Sequence, residues 1–223
     1  MRGRLFAAGY DRMLARVEKA GLHARRESLL SDASGRVLEI GAGTGLNLDL
    51  YGDAVESLTV TEPEEPMAQR LEAKLPDLSR DVTVVRAPAE DLPFPDDEFD
   101  TVVATLVLCT VADQPRALRE ARRVLKPGGR LLFIEHVRSD DRKLAKWQDR
   151  MNRVNRFVAY GCNCNRSTVD AIRGAGFDVD ELERGELPKA PPFARPLVIG
   201  RAVANGRAYE TGGGVPAALA DNA

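Results

Sequence analysis

A short apolar run that leads directly into three glycines constrains the fold more than any other feature of this chain. Residues 37–40 are apolar apart from one glutamate, as is typical of a strand buried on both faces of a sheet. Gly41, Gly43 and Gly45 then alternate with other residues. Glycine allows a positive φ and lets a ligand approach the backbone closely. A buried strand that feeds such a turn predicts a nucleotide-binding α/β unit. It is not the dinucleotide G-x-G-x-x-G type, because position 46 is leucine.

Length and composition favour one globular domain and exclude several classes of function. At 223 residues, the chain is long enough to bury a complete core. A formal net charge of −2 gives no electrostatic footprint for nucleic acid. The longest apolar stretch, residues 101–112, is too short to span a bilayer, and three cysteines are too few for a disulfide framework. We therefore expect a cytoplasmic protein without nucleic-acid binding or stable membrane insertion.

Strands and helices alternate along most of the chain. Further strands are predicted at 57–61, 82–85, 99–105 and 130–136, followed by a closing hairpin at 177–182 and 197–204. A short helix is predicted at 46–51, with its first N–H groups facing a ligand. This order indicates an α/β fold with a doubly wound, mostly parallel, seven-stranded sheet and an antiparallel closing hairpin. The ligand is expected at the carboxyl ends of the first strands.

Three segments make up the predicted domain organisation. Residues 1–34 form an N-terminal helical cap or lid that Gly21 splits, and the lid interpretation points Tyr10 at the ligand. Residues 35–204 form the ligand-binding domain. Residues 205–223 contain three consecutive glycines and mostly small residues, which predicts a flexible tail.

Acidic side chains follow the second and third predicted strands. Glu62 comes about twenty residues after the glycines, where this architecture places an acid on the ribose hydroxyls. The alternative is a solvated charge at the end of a strand. In the next loop, the N–H of Ala89 and the carboxylate of Glu90 are placed to bind an adenine edge, with a plain acidic turn as the alternative.

Several segments together resemble the class I S-adenosylmethionine (SAM) methyltransferases. Those that resemble the ubiquinone/menaquinone-biosynthesis type are residues 37–45, 89–94, 105–109, 118–129 and 135–136. A second set of segments indicates a particular group within this class: residues 105–109, 133–137, 161–162, 195–196 and 200. This second set is similar to the alkyl-thiol S-methyltransferases (methyltransferase-like family 7) and to bacterial phosphatidylethanolamine N-methyltransferase-like relatives. The resemblance covers residues 35–204 and implies the Rossmann-like class I methyltransferase fold.

The resemblance also implies SAM as methyl donor, S-adenosylhomocysteine (SAH) as product and no metal. Glu39 and the glycine turn would face the methionine part of SAM, and Glu62 the ribose. The family more often has aspartate at that position, so the longer side chain moves the carboxylate. The implied cofactor-binding residues are Glu39, Gly41, Ala42, Gly43, Thr44, Gly45, Asn47, Glu62, Pro63, Met67, Ala89, Glu90, Asp91, Thr105 and Leu106.

A small-molecule thiol, such as a reduced dithiol natural product, is the expected methyl acceptor. SAM carries its own leaving group, so the enzyme has to hold the thiolate about 3–3.5 Å from the methyl group. His136, at the carboxyl end of the fifth strand, is the candidate catalytic base, and a structural histidine is the alternative. The expected substrate-binding residues are Tyr10, Trp147, Gly161, Cys162, Asn163, Cys164, Arg166 and Arg195.

Two further functions and one further site remain as alternatives. The first function is N- or O-methylation of a lipid (phosphatidylethanolamine-like) or quinone-type substrate, and the second is a non-catalytic SAM-binding regulator. Cys162 and Cys164 resemble a redox or metal pair. With two histidines in the whole chain they form a poor zinc ligand set, so a pocket-lining role is favoured and no metal site is predicted.

Overall fold

The computed structural model describes residues 9, 14–159 and 161–205. One sheet contains all seven strands in the order β3-β2-β1-β4-β5-β7-β6. The strands are β1 Gly35–Ile40, β2 Val55–Thr61, β3 Val82–Val85, β4 Phe99–Thr105, β5 Leu125–His136, β6 Phe177–Glu186 and β7 Pro196–Ala204. β1 to β5 pair in parallel, and β7 runs antiparallel between β5 and β6. The predicted doubly wound sheet with its antiparallel closing hairpin is confirmed.

Helices connect the strands on both faces of the sheet. They are α1 His23–Leu30, α2 Glu65–Glu72, α3 Gln114–Val124, α4 Arg142–Val158 and α5 Thr168–Gly174. A π-helical turn, Glu18–Leu22, precedes α1 and is interrupted by Gly21 at φ 128°, which confirms the predicted split at this glycine. Tyr10 and residues 206–223 of the predicted tail lie outside the described residues.

The segment after the glycine turn differs from the prediction. Instead of a helix over 46–51, it contains a single 3₁₀ turn, Leu48–Leu50. Tyr51 already has an extended backbone (ψ 125°), because the chain turns there to enter β2. The predicted helix N-terminus is therefore absent from this part of the described chain, and the ligand-facing groups come from the glycine turn itself.

Two hydrophobic clusters cover the two faces of the sheet. Phe133 of β5 packs with residues of α3 and α5 in one cluster. Its neighbours Leu132 and Ile134 belong to the other cluster, with residues of α1 and α2. Successive residues of a strand point to opposite faces, so the unbroken apolar run in β5 fits a strand covered on both sides. This burial fixes the carboxyl ends of β1, β2, β4 and β5 at a common edge.

The two outer strands of the sheet are β3 and β6. β6 has its pairing register shifted between Val179 and Glu181. Its exposed acidic residues are Asp178, Asp180, Glu181, Glu183 and Glu186.

Among the helices of the described residues, none has both the length and the apolar character needed to cross a membrane.

Candidate active site

Two glycines of the turn after β1 are required for different reasons. Gly41 and Gly43 have φ of 63° and 60°. A Cβ on Gly41 would overlap the side chain of Val107, so this glycine is required by packing inside the protein. A Cβ on Gly43 would meet no protein atom within 4 Å. Gly43 therefore borders open space at the carboxyl edge of the sheet, where a ligand can lie against the backbone.

Glu62, at the end of β2, holds the glycine turn in place. Its Oε2 accepts a hydrogen bond from the N–H of Gly43 at 2.8 Å, and its Oε1 accepts one from the N–H of Glu64 at 2.8 Å. Burial raises the pKa of Glu62, and these two N–H groups offset only part of that effect. Each carboxylate oxygen has a second lone pair, so Glu62 can still accept a ligand hydroxyl.

A second buried carboxylate, Glu39, lies at the carboxyl end of β1. Its Oε1 accepts from Asn47 Nδ2 at 2.8 Å and its Oε2 accepts from the Tyr51 hydroxyl at 2.7 Å. Burial raises the pKa of Glu39, and the bonds from Tyr51 and Asn47 lower it by a smaller amount. Glu39 and Glu62 together give this edge a buried negative charge.

Arg26 of α1 brings a buried positive charge to the same network. Its Nη1 donates to Asn47 Oδ1 at 2.9 Å and to Thr105 Oγ1 at 2.8 Å, and its Nε pairs with Glu18 at 3.1 Å. Arg26 is not among the site residues predicted from the sequence. A signal was present, since Arg26 lies four residues after Leu22 and three before Leu29, both fully buried, and so shares their helix face.

The turn after β4 is held by a third buried carboxylate. Leu106 has φ 58°, a conformation that costs energy for a non-glycine residue and often occurs at functional sites. Glu135 Oε1 accepts from the N–H groups of Val107 and Leu108 at 2.9 and 2.7 Å, and Oε2 from that of Cys109 at 3.1 Å. Burial raises the pKa of Glu135 to about 7 despite these bonds. Glu135 thus fixes the backbone that carries Leu106 and Cys109.

Two other predicted site residues bind neighbouring backbone. Arg166 donates to the carbonyl oxygens of Leu108 and Val111 at 2.6 and 2.7 Å. Glu90 accepts from the N–H groups of Ala112 and Asp113 at 2.7 and 3.1 Å. The bonds of Glu90 connect the loop after β3 to the loop after β4, and those of Arg166 connect the segment after α4 to the same loop. The ligand roles of Arg166 and Glu90 stay predictions.

Cys109, His136 and Cys162 form a compact cluster beside this turn. The two Sγ atoms lie 3.5 Å apart. His136 Nδ1 lies 3.4 Å from the Sγ of Cys162 and 3.8 Å from that of Cys109. Both cysteines are buried and free, and His136 Nε2 is buried with no hydrogen-bond partner among the described residues. The sequence placed His136 and Cys162 in the site and missed Cys109.

The two thiols of the cluster differ in acidity. The contact with Cys162, reinforced by burial, raises the pKa of Cys109 well above its ordinary value. The contact with Cys109 and the charge of His136 lower the pKa of Cys162 well below its ordinary value, although burial opposes this. Burial acts to lower the pKa of His136, but Cys162 and Glu135 outweigh it and the net shift is upward. Cys162 is therefore the more acidic thiol of the two.

The other predicted substrate-binding residues are divided between two places. Gly161, Asn163 and Cys164 flank Cys162, and Asn163 Nδ2 donates to the carbonyl oxygen of Cys109 at 3.1 Å. The Cys164 side chain is fully buried, which raises its pKa to about 11.

Trp147 and Arg195 adjoin the loop before β7 instead. Trp147 packs edge-to-face on Phe193, with ring centroids 5.4 Å apart. Arg195 Nε donates to the carbonyl oxygen of Ala190 at 2.9 Å. Their predicted contact with substrate stays a prediction.

The cofactor-binding residues predicted from the sequence gather at the carboxyl edge. Those that are buried there are Glu39, Ala42, Thr44, Gly45, Asn47, Glu62, Met67, Ala89 and Thr105. Pro63 and Asp91 are exposed. The open space beside Gly43, the two carboxylates and Arg26 match a ligand that combines hydroxyls with cationic and carboxylate groups. SAM is such a ligand, so the residues present fit it.

Comparisons with known proteins agree with this geometry. Residues 38–133 match the family model described as a methyltransferase domain. The human thiol S-methyltransferase TMT1B is 36% identical over 180 residues, which are 78% of this chain and 73% of the relative. The ubiquinone/menaquinone biosynthesis C-methyltransferase UbiE of Vibrio vulnificus is 33% identical over 187 residues, covering 75% of this chain and 70% of the relative. The structure of a SAM-dependent methyltransferase from Thermotoga maritima has a TM-score of 0.67 and 24% identity, over 91% of this chain and 97% of that one.

Proposed function

This chain belongs to the class I SAM-dependent methyltransferases, and we propose that it methylates the sulfur of a small-molecule thiol. The observation that carries the choice of sulfur is the 36% identity with a human thiol S-methyltransferase across 73% of that relative. When bound, SAM supplies the methyl group: its sulfonium–carbon bond breaks, the acceptor sulfur takes the methyl, SAH remains and the thiol proton passes to solvent.

Binding and orientation are the proposed tasks of the residues around the glycine turn. Gly43 leaves room for the cofactor against the backbone. Glu62 accepts the ribose hydroxyls, and Glu39 with Asn47 provides polar groups for the methionine part. Ala89 and Glu90 are proposed to bind the adenine, and Thr105 with Leu106 to border the reacting methyl group. The buried charges of Arg26, Glu39 and Glu62 are already hydrogen-bonded within the folded chain, so they need little rearrangement when the ligand binds.

Activation of the acceptor is the proposed role of His136. A thiolate is a far better nucleophile than a thiol, so the site has to favour loss of the thiol proton. His136 lies at the carboxyl end of β5, next to the turn after β4, and is partly buried. The acceptor itself is proposed to lie between this histidine, the segment 161–166 and the side chains of Trp147 and Arg195.

Paired analogues of one carbon skeleton test the choice of acceptor atom. The protein is incubated with isotopically labelled SAM and a thiol, amine or phenol that differ only in the reacting group, and the products are identified by mass spectrometry. We expect label in the thioether of the thiol analogue. Methylation of the amine or phenol without the thiol would overturn S-methylation.

A lipid or quinone-type acceptor is the second candidate, and the 33% identity with UbiE favours it. It predicts the opposite result with the paired analogues, namely label on the amine nitrogen or on the phenol, at its oxygen or at a ring carbon. A third outcome, in which SAM binds normally but no analogue is methylated, would favour a non-catalytic SAM-binding role. SAM affinity is therefore measured by calorimetry on the same preparation.

A further inference from the structure

We propose that Cys109, His136 and Cys162 bind a zinc ion and leave its fourth coordination position open to the sulfur of the substrate. The zinc site itself follows from the geometry of these three side chains. Its task of activating the acceptor rests on the proposed thiol specificity.

The three donor atoms have the spacing of a tetrahedral site. Zinc binds sulfur at about 2.3 Å and imidazole nitrogen at about 2.0–2.1 Å. At tetrahedral angles these bond lengths place two sulfurs about 3.8 Å apart, and a sulfur and a nitrogen about 3.5 Å apart. The corresponding distances in the protein are 3.5 Å between the sulfurs and 3.4 and 3.8 Å from nitrogen to sulfur. One ion placed between these atoms reaches all three after small side-chain adjustments.

The donor types select the metal. Two thiolates and one imidazole in a tetrahedral arrangement favour zinc over magnesium, calcium or manganese, which prefer oxygen. Three protein ligands with one open position are typical of catalytic zinc sites, whereas structural sites have four. All three ligand atoms lie within 4.8 Å of one another, and no other group of three metal-ligating side chains was found in the described residues.

Each ligand is held by a different element, so the arrangement is fixed before a metal binds. The N–H of Cys109 donates to Glu135, and its carbonyl oxygen accepts from the N–H of Asn163 at 2.8 Å. The carbonyl oxygen of Cys162 accepts from Asn155 Nδ2 at 2.9 Å. His136 ends β5, where its backbone pairs with Leu197 of β7. A supported ligand set of this kind reduces the entropy cost of metal binding.

A surface cleft borders the residue next to Cys162. Gly161, the residue before Cys162, lines a cleft of about 610 Å³ with Asn152, Arg156 and Phe157. His136 keeps part of its surface exposed, although its Nε2 is buried. Cys109, His136 and Cys162 do not line this cleft themselves, so the proposed site requires the acceptor to pass Gly161 and reach the partly exposed side of His136.

Coordination would make the acceptor reactive without a separate base, so His136 would activate the thiol as a zinc ligand and not as a general base. A thiol that binds zinc is deprotonated: its S–H bond breaks, the proton passes to solvent and a zinc–sulfur bond forms. Two cysteine thiolates neutralise the 2+ charge of the ion, so the substrate thiolate adds one negative charge. The Arg166 guanidinium, bound to the carbonyl oxygens of Leu108 and Val111 on the same turn, lies nearby to compensate it.

Metal content of matched variants tests the zinc site directly. Cys109, Cys162 and Cys164 are all buried, so Cys109→Ala, Cys162→Ala and Cys164→Ala remove the same atoms from similar surroundings. We expect one zinc per chain in the reduced wild-type protein and in Cys164→Ala. Loss of a ligand should weaken zinc binding by at least about tenfold in the other two variants. The serine substitutions at 109 and 162 replace any alanine variant that fails to fold, as judged by circular dichroism.

Cobalt(II) substitution tests the geometry and the open position. Tetrahedral cobalt with thiolate ligands gives intense visible bands and a sulfur-to-metal charge-transfer band. Addition of a small thiol should shift the visible bands, and the alcohol of the same skeleton should not. A wild-type protein without bound zinc, a cobalt spectrum without thiolate bands, or equal zinc loss in Cys164→Ala would each overturn the site.

Comparison of zinc-loaded and metal-free protein separates this inference from the proposed function. If zinc binds but no thiol is methylated, the proposed function fails and the metal site stands. If metal-free protein methylates the thiol at the rate of the zinc-loaded protein, S-methylation stands and zinc activation is wrong. A cobalt spectrum that thiols leave unchanged rejects the open position alone.

Discussion

At the scale of single residues, two glycines of one turn have different surroundings, one packed against protein and the other facing open space. Gly41 lies against Val107, whereas Gly43 borders open space. We expect Gly43→Asp to fold and to lose detectable SAM binding. Aspartate tolerates a positive φ, and its side chain would fill the space of the cofactor and repel the SAM carboxylate. Calorimetry measures the affinity, and a thermal melt within about 4 °C of wild type, which corresponds to about 1–2 kcal/mol for a chain of this size, verifies the fold.

Gly41→Ala is the matched comparison. Its added methyl group would overlap Val107, so we expect a lower melting temperature from this smaller substitution. Near-wild-type SAM affinity in folded Gly43→Asp would show that the cofactor does not lie against this residue.

At the scale of elements, α1 is attached to the site through one buried arginine. Arg26 bonds Asn47, Thr105 and Glu18. We expect Arg26→Met to lower the free energy of unfolding by about 3–5 kcal/mol, because the buried carboxylates lose their compensating charge. Arg25→Met should change it by about 1 kcal/mol or less, since Arg25 is half-buried, pairs with no buried carboxylate and donates one hydrogen bond among the described residues, to the carbonyl oxygen of Glu186.

Urea unfolding measures both free energies, and calorimetry shows whether SAM affinity falls with the loss of Arg26. Equal destabilisation by the two substitutions would mean that the buried network contributes nothing beyond an ordinary surface contact.

Elements that rest on local patterns were predictable from sequence, and contacts between distant segments were not. The apolar run before Gly41 and the apolar run of β4 specify central strands by themselves. Cys109 and Cys162 are 53 positions apart, and their contact depends on where the loops after β4 and α4 meet. The hydrophobic periodicity of the sequence does not predict which loops come into contact. The helix expected at 46–51 failed for a related reason, since propensity is overridden where Tyr51 has to reach Glu39 and the chain has to enter β2.

At the scale of the whole molecule, cofactor binding and folding are linked. The glycine turn, Glu62 and the network of Arg26 exist only when β1, β2, β4 and α1 are assembled. SAM should therefore bind the folded state and not the unfolded state. We expect SAM at one hundred times its dissociation constant to add about 2.7 kcal/mol to the unfolding free energy. For a chain of this length, that corresponds to a rise in melting temperature of about 5–10 °C. Differential scanning fluorimetry with SAM, SAH and free methionine measures it, and an unchanged melting temperature with saturating SAM would contradict the linkage.

The exposed carboxylates along β6 affect whether copies of the protein associate with one another. An outer strand offers unpaired N–H and C=O groups to any other extended chain, and hydrophobic outer strands start aggregates in this way. Along β6, five exposed carboxylates and a shifted register oppose such pairing, because a second copy aligned on this strand would bring like charges together. The protein should therefore stay dispersed at neutral pH during refolding.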